Sequence, residues 1–201
     1  MLMFYAYLKK KKLILKKGTI VDSTIISAPS STKNKERKRD PEAHSVRKGN
    51  QWYFGYKAHI GVDGKTGLVH HVKATAANVA DVNAANDVIY GDEDEFNGDS
   101  GYLNVEKHIS EEKQKPGREY NINQRRGKKK KLDPNGALAF EIEEFNKSTV
   151  RSKVEHVFGV VKKLFKFRRT RYRGLEKQQA KFNFIFALAN LYLADKKNLL
   201  A

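Results

Sequence analysis

The chain has 201 residues, which is long enough for one ordinary domain with a buried core. Hydrophobic residues make up 39% of it and charged residues 31%, a composition that excludes an intrinsically disordered chain. The formal net charge of +17 favours a polyanionic partner, of which nucleic acid is the commonest; a ribosome or a membrane surface is the alternative.

Cysteine is absent, which excludes disulfide bonds and cysteine zinc sites and fits a reducing cytoplasm. Residues 1–17 are apolar and then lysine-rich, and we predict a short helix or a frayed end there. A secretory signal carries its positive charges before its apolar run, so this order argues against one. No apolar stretch approaches the roughly 18 residues of a membrane-spanning helix. We therefore expect a soluble cytoplasmic protein that does not act in a membrane.

The first strand is predicted at residues 19–26, where almost every residue is β-branched. Asp22 stands in the middle of this strand. Residues 27–50 are polar and contain Pro29 and Pro41, a composition that predicts a mobile loop.

Two further strands, at 52–62 and 67–74, are separated by an Asp63-Gly64 pair that is typical of a tight hairpin turn. The first of them begins with aromatic residues, which we interpret as strand core in preference to a base-stacking surface; they are Trp52, Tyr53, Phe54 and Tyr56. Asn78 or Asp81 is suited to cap a helix that ends near residue 89.

The second half of the chain begins with a short strand at about 96–102, in which Asp99 lies between two glycines. A helix is predicted from 137 to 167 with an interruption near 146–149, followed by a basic linker at 168–173 and a long apolar helix at 175–194. The order of these elements predicts an α/β layer fold with a mixed sheet flanked by helices.

Three carboxylates stand out as candidate site residues. A lone ionised carboxylate in a buried strand needs a partner or a metal ion, so Asp22 requires an explanation; a turn-capping role at a strand end is the alternative. Asp99 has the same ambiguity, since aspartate between glycines is a favoured turn residue. Glu155 lies near the edge of a helical apolar stripe with Arg151 and Lys162, an arrangement that an ordinary surface ion pair also explains.

Taken together, the three acids suggest a metal site. Two acids on strand ends and one on a helix supply the oxygen ligands that Mg²⁺ prefers, with positions left open for a phosphate. Scattered histidines at 59, 70, 71 and 156 could in principle form a zinc site, but packing or surface roles are the commoner explanation.

Four short motifs occur in the order known from one protein family, and two segments nearer the C-terminus resemble the same family. They are GTIVDST at 18–24, FGYKAHIGVD at 54–63, GDSGY at 98–102 and RSKVEH at 151–156, with RYRGL at 171–175 and FALANL at 186–191. These segments resemble the DDE transposases of bacterial insertion sequences, most closely the IS5 group within the wider IS4-like superfamily. The resemblance covers about residues 18–195.

The resemblance implies an RNase H-like catalytic domain at 18–195, after a basic N-terminal remnant at 1–17 and before a tail at 196–201. It assigns Asp22, Asp99 and Glu155 as catalytic residues that bind two Mg²⁺ or Mn²⁺ ions. DNA contacts are expected from the basic residues of the last helices and their linker, namely Arg151, Lys162, Lys163, Arg168, Arg169, Arg171 and Arg173.

The implied activity is hydrolysis of double-stranded DNA at transposon ends and transfer of the freed 3′ hydroxyl to target DNA. The implied setting is a homodimer in the bacterial cytoplasm, associated with the nucleoid, with no small-molecule substrate. Family members usually carry an end-recognition segment before the first aspartate, so this chain is expected to be a truncated, decayed or split copy. The alternatives are a nuclease of the same fold without strand transfer, and a non-catalytic basic fragment that binds nucleic acid.

Overall fold

The computed structural model describes residues 10, 11 and 13–199 of the chain. Residues 1–9 and 12 of the predicted N-terminal segment, and residues 200–201 of the predicted tail, lie outside that range. The strands are β1 (Gly18–Ser27), β2 (His44–Lys48), β3 (Gln51–Asp63), β4 (Val69–Ala76), β5 (Glu95–Gly98) and β6 (Glu119–Ile122). The long helices are α1 (Pro134–Gly159), which continues into a π-helical turn at Val160–Leu164, and α2 (Leu175–Lys196). Short 3₁₀ helices occupy Asp81–Val88, Ser100–Tyr102, Val105–His108, Glu111–Lys113 and Arg126–Lys131.

The six strands form one mixed sheet in the order β2-β3-β1-β5-β6. β1 is antiparallel to β3 and parallel to β5, which is in turn parallel to β6. β2 and β4 share one edge of the long β3, because β2 pairs with its first residues, Gln51–Gly55, and β4 with Tyr56–Val62. This sheet confirms the predicted α/β fold class and is consistent with an RNase H-like fold.

Helices cover both faces of the sheet, and the side-chain alternation of β1 shows how. Ile20 and Ile26 belong to the larger core cluster, together with residues of α1 and α2 such as Val157 and Phe182. Val21 belongs to the second cluster, which includes Ala85 and other residues of the 3₁₀ helices. Residue 22, which alternates with Val21, therefore lies on the α1 face of the sheet.

The outer edge of β4 is closed by two amide side chains of α2. Asn190, which is completely buried, accepts a hydrogen bond from the Val69 N–H (2.7 Å) and donates one to the Val69 carbonyl (2.7 Å). Gln179 forms the same pair of hydrogen bonds further along β4: it accepts from the Ala74 N–H and donates to the Val72 carbonyl. An edge strand otherwise exposes unpaired backbone groups, so these amides both satisfy β4 and fix α2 against it.

The predicted loop at 27–50 was wrong in part, because it contains β2 (His44–Lys48). Most residues of β2 are exposed, so the strand lacks the apolar alternation that sequence patterns detect.

Trp52, predicted to belong to the strand core, is 66% exposed, whereas Tyr56 is completely buried. The difference arises because residues 51–54 of β3 pair only with β2, beyond the end of the β1 pairing.

The predicted interruption of the helix near 146–149 was also wrong. α1 runs through this segment, and its hydroxyl residues bond to the helix itself: the Thr149 hydroxyl donates to the Phe145 carbonyl (3.0 Å) and the Ser152 hydroxyl to the Thr149 carbonyl (2.7 Å). Such bonds let polar residues remain within a helix.

None of the helices among the described residues is long and apolar enough to cross a membrane.

We expect Asn190→Leu to lower the free energy of unfolding by about 2–5 kcal/mol, because it leaves the buried N–H and C=O of Val69 without partners. Urea titration followed by circular dichroism measures this. Asn135→Leu, at an exposed position at the start of α1, is the matched control and should change stability little. An equal effect of the two substitutions would contradict the role given to Asn190.

Candidate active site and nucleic-acid interface

Asp22 lies in the middle of β1 with its side chain 19% exposed. Its Oδ1 accepts a hydrogen bond from the Ser23 N–H (2.7 Å), and its Oδ2 lies 3.6 Å from an Arg151 guanidinium nitrogen on α1. Arg151 also donates to Asn123 Oδ1 (2.8 Å), while its Nε is buried without a partner among the described residues. Both oxygens of Asp22 are therefore oriented by protein groups.

Asp99 is the first residue after β5 and is close to Asp22. The parallel register pairs Ile20 with Asn97, so residues 22 and 99 come at the same end of neighbouring strands. Asp99 caps the 3₁₀ helix Ser100–Tyr102 by accepting from the Gly101 N–H (2.8 Å). This turn role is the one foreseen as the alternative, and here it coexists with a position beside Asp22.

Asp81 is a third aspartate at this end of the sheet, and the sequence analysis assigned it only a capping role. Ala80 occupies the N-cap position of the 3₁₀ helix, and no side chain caps that helix. The Asp81 carboxylate instead accepts hydrogen bonds from the Ser23 hydroxyl (2.7 Å) and the Lys57 ammonium (2.8 Å). A Cβ added to Gly101 would lie 2.9 Å from Asp99 Oδ1 and 3.6 Å from Asp81 Oδ2, so a larger residue at this position would displace the Asp99 carboxylate.

The three aspartates influence one another electrostatically. The pKa of the Asp22 carboxyl is raised from its ordinary value of 3.8 to about 6, chiefly by burial and to a smaller extent by the nearby charges of Asp99 and Asp81. The Ser23 N–H and the Arg151 guanidinium act in the opposite direction without cancelling the effect of burial. At neutral pH the ionised form of Asp22 is therefore unfavourable on its own, a condition that a bound cation would relieve.

Glu155 is exposed on α1, one turn after Arg151, or about 6 Å further along the helix axis. Among the described residues it has no hydrogen bond or ion pair, and it borders a cleft with His156, Lys163 and Tyr192. No group of three or more His, Asp or Glu side chains is arranged to hold a metal ion in the part of the chain that the structure describes. The carboxylate oxygens of Asp22 and Asp99 are nevertheless of the kind that a hard cation prefers. Among the described residues, no direct contact joins Glu155 to them.

A second feature is a basic cleft of about 480 Å³ beside the end of β1. Lys48, Lys162 and Arg168 line it together with the hydroxyl residues Thr24, Ser27 and Tyr53. Burial lowers the pKa of the Lys162 ammonium, and the adjacent cations Lys48 and Arg168 lower it further. Lys48, on the unpredicted strand β2, was missed by sequence analysis because a single lysine in a polar segment carries no pattern.

The other predicted DNA-contacting residues lie in and around the basic linker. This linker is attached to the end of β1, where the Ser27 N–H donates to the Arg168 carbonyl (3.1 Å) and the Thr170 N–H to the Ser27 carbonyl (2.8 Å). Lys163, Arg169 and Arg171 are exposed. Arg173 is engaged within the protein, through an ion pair with Glu36 (2.9 Å) and a hydrogen bond to the Lys38 carbonyl (3.1 Å).

We expect Asp22→Asn to raise the free energy of unfolding at pH 7.5 by about 1–3 kcal/mol in metal-free buffer. The carboxyl has a pKa of about 6 in the folded chain against an ordinary 3.8, so the folded state binds its proton more tightly. The wild type therefore loses stability as the pH rises from 4 through 6, and asparagine does not. Urea titrations at pH 4 and 7.5 should show the gain only at the higher pH.

Asp195→Asn, at an exposed position near the end of α2, is the control for loss of a carboxylate. Its effect should be small and independent of pH. A variant Asp22→Asn that is less stable than the wild type at pH 7.5 without metal would show that burial does not penalise the charged carboxylate.

Comparison with known proteins identifies the family of the chain. The model of the family described as "Transposase DDE domain" matches residues 14–191, and no solved structure matches the chain. The match includes β1, β5 and α1, and therefore Asp22, Asp99 and Glu155. The chain belongs to the family of transposase DDE domains.

Proposed function

We propose that the chain cleaves DNA at transposon ends and joins the freed 3′ hydroxyl to target DNA, as a member of the IS5 group acting as a homodimer on paired ends. DDE transposases act on DNA and generally use divalent metal ions. The observation that carries the proposal is the desolvated Asp22 carboxylate beside Asp99 and Asp81, whose ionised form a bound cation would favour at neutral pH.

Asp22 and Asp99 would hold two Mg²⁺ or Mn²⁺ ions, with Glu155 as the third ligand. Carboxylate oxygens are the ligands that these hard ions prefer, and Glu155 has no partner among the described residues that would restrain it. When bound, the ions would activate the attacking oxygen and stabilise the leaving oxygen of the phosphodiester. Arg151 holds a positive charge beside Asp22, where it can contact the scissile phosphate.

The basic cleft gives the DNA strand a place next to these acids. Thr24, which lines the cleft, is two residues after Asp22 on the same face of β1, a separation of about 7 Å. Lys48, Lys162 and Arg168 would bind a phosphate there through charge-assisted hydrogen bonds. The pKa of Lys162 is lowered first by burial and then by Lys48 and Arg168, and a bound anion would offset the repulsion from these two cations.

We expect Asp22→Asn, Asp99→Asn and Glu155→Gln each to lower metal-dependent nicking of supercoiled plasmid by at least about a hundredfold, since each removes a charged oxygen ligand. Binding of duplex DNA should persist, because the basic residues are unchanged. Agarose gels with Mg²⁺, Mn²⁺ or EDTA measure nicking, and a precut end with a free 3′ hydroxyl measures joining.

The controls are Glu112→Gln and Asp195→Asn, which remove exposed carboxylates elsewhere. Nicking that survives any of the three site substitutions would remove that residue from the mechanism. Nicking without joining would indicate a nuclease, and DNA binding without Mg²⁺ binding would indicate a non-catalytic protein.

We expect Lys48→Gln and Lys162→Gln each to weaken duplex binding and to reduce the slope of log affinity against log salt by about one, because each removes one phosphate contact. Fluorescence anisotropy across a salt series measures both quantities. Lys107→Gln, at an exposed position in the 3₁₀ helix Val105–His108, is the matched control. An unchanged slope for Lys48→Gln would exclude the cleft as a phosphate site.

A further inference from the structure

We propose that Asp81 is a positioning residue for Asp22, which it orients through hydrogen bonds on the opposite face of the sheet. The inference rests on the proposed catalytic role of Asp22. Asp81 is neither one of the three acids assigned to the site nor one of the basic residues expected to contact DNA. Its role is inferred from its contacts with Ser23 and Lys57.

Ser23 links the two aspartates directly. Its hydroxyl donates to Asp81 Oδ1 (2.7 Å), and its backbone N–H donates to Asp22 Oδ1 (2.7 Å). Because neighbouring residues of a strand point to opposite faces, Asp22 lies on the α1 face and Ser23 on the face of the 3₁₀ helices. The bond to Asp81 therefore holds the Ser23 residue whose N–H sets the orientation of the Asp22 carboxylate.

Lys57 fixes Asp81 in turn. It lies on β3 opposite Ile25, is 9% exposed, and donates both to Asp81 Oδ1 (2.8 Å) and to the Val79 carbonyl (2.7 Å). A buried ammonium needs a charged or hydrogen-bonding partner. The Asp81 carboxylate thus joins β1, β3 and the start of the 3₁₀ helix Asp81–Val88 at one point.

The same carboxylate approaches Asp99. Asp81 Oδ1 accepts both the serine and the lysine hydrogen bonds, and Oδ2 lies 3.6 Å from the position that a Cβ on Gly101 would take, beside the turn in which the Gly101 N–H donates to Asp99. Asp81 therefore holds the β1 segment that carries Asp22 and lies beside the turn that carries Asp99. Residues that orient metal ligands in this way commonly affect activity by about 10–100-fold when replaced.

The test compares Asp81→Ala, Asp81→Asn and Ser23→Ala in the full chain. Asparagine retains an oxygen at Oδ1 that accepts from Ser23 and Lys57, whereas alanine does not. We expect Asp81→Ala to lower kcat for plasmid nicking by about 10–100-fold with KM for DNA little changed, and Asp81→Asn to restore most of it. Ser23→Ala combined with Asp81→Ala should be no slower than Asp81→Ala alone, because both remove one interaction.

Amide hydrogen exchange of the metal-free protein, read at Ser23, gives a second result that does not depend on activity. Asp81→Ala should accelerate exchange at Ser23 by at least about tenfold, and Asp81→Asn should not, while exchange within α2 stays unchanged. If the wild type cleaves no DNA, the proposed function fails, but this exchange measurement still decides the coupling. Independent effects of Ser23→Ala and Asp81→Ala, an asparagine variant as slow as the alanine variant, or unchanged exchange at Ser23 would each overturn the proposal.

Discussion

The whole site depends on the parallel pairing of β1 with β5, because it brings Asp22 and Asp99 to the same end of the sheet. β1 is the central strand, held on its other side by the antiparallel β3, so Asp22 cannot move toward solvent without disrupting the sheet. The carboxylate is consequently desolvated and its pKa is raised to about 6. Elements on both faces of the sheet contact this part of β1: Arg151 of α1 lies beside Asp22, and Asp81 of the 3₁₀ helix accepts a hydrogen bond from Ser23.

Protein groups reduce the energetic cost of ionising the buried Asp22 carboxyl but do not remove it. The Ser23 N–H and Arg151 favour the ionised form, while burial, Asp99 and Asp81 oppose it, and the second group prevails. A site evolved for stability alone would pair the buried acid completely. Incomplete compensation is consistent with the proposed metal site, because a bound ion would itself supply the missing positive charge.

The sequence predicted the parts of the fold that carry a strong pattern. β-branched β1, the Asp63-Gly64 turn and the apolar α2 were found because their periodicity or turn chemistry is local. β2 escaped detection because its exposed residues show no alternation. Asp81 was interpreted as a helix cap because its real partners, Ser23 and Lys57, are 58 and 24 residues away along the chain. Such pairings follow from the sheet register, and no local pattern predicts them.

Under the proposed function, the distribution of charge determines how DNA and metal ions would act together. The chain carries a net charge of +17, yet the aspartates concentrate negative charge beside the middle of β1 and the end of β5. The cleft of Lys48, Lys162 and Arg168, beginning at Thr24, lies next to them. Under the proposed function, a DNA phosphate would be attracted to the cleft without any cofactor, but the same backbone would be repelled from the acids unless cations intervene. The basic cleft would then hold the strand, and metal ions bound by the acids would allow it to approach Asp22, which would couple cleavage to metal binding.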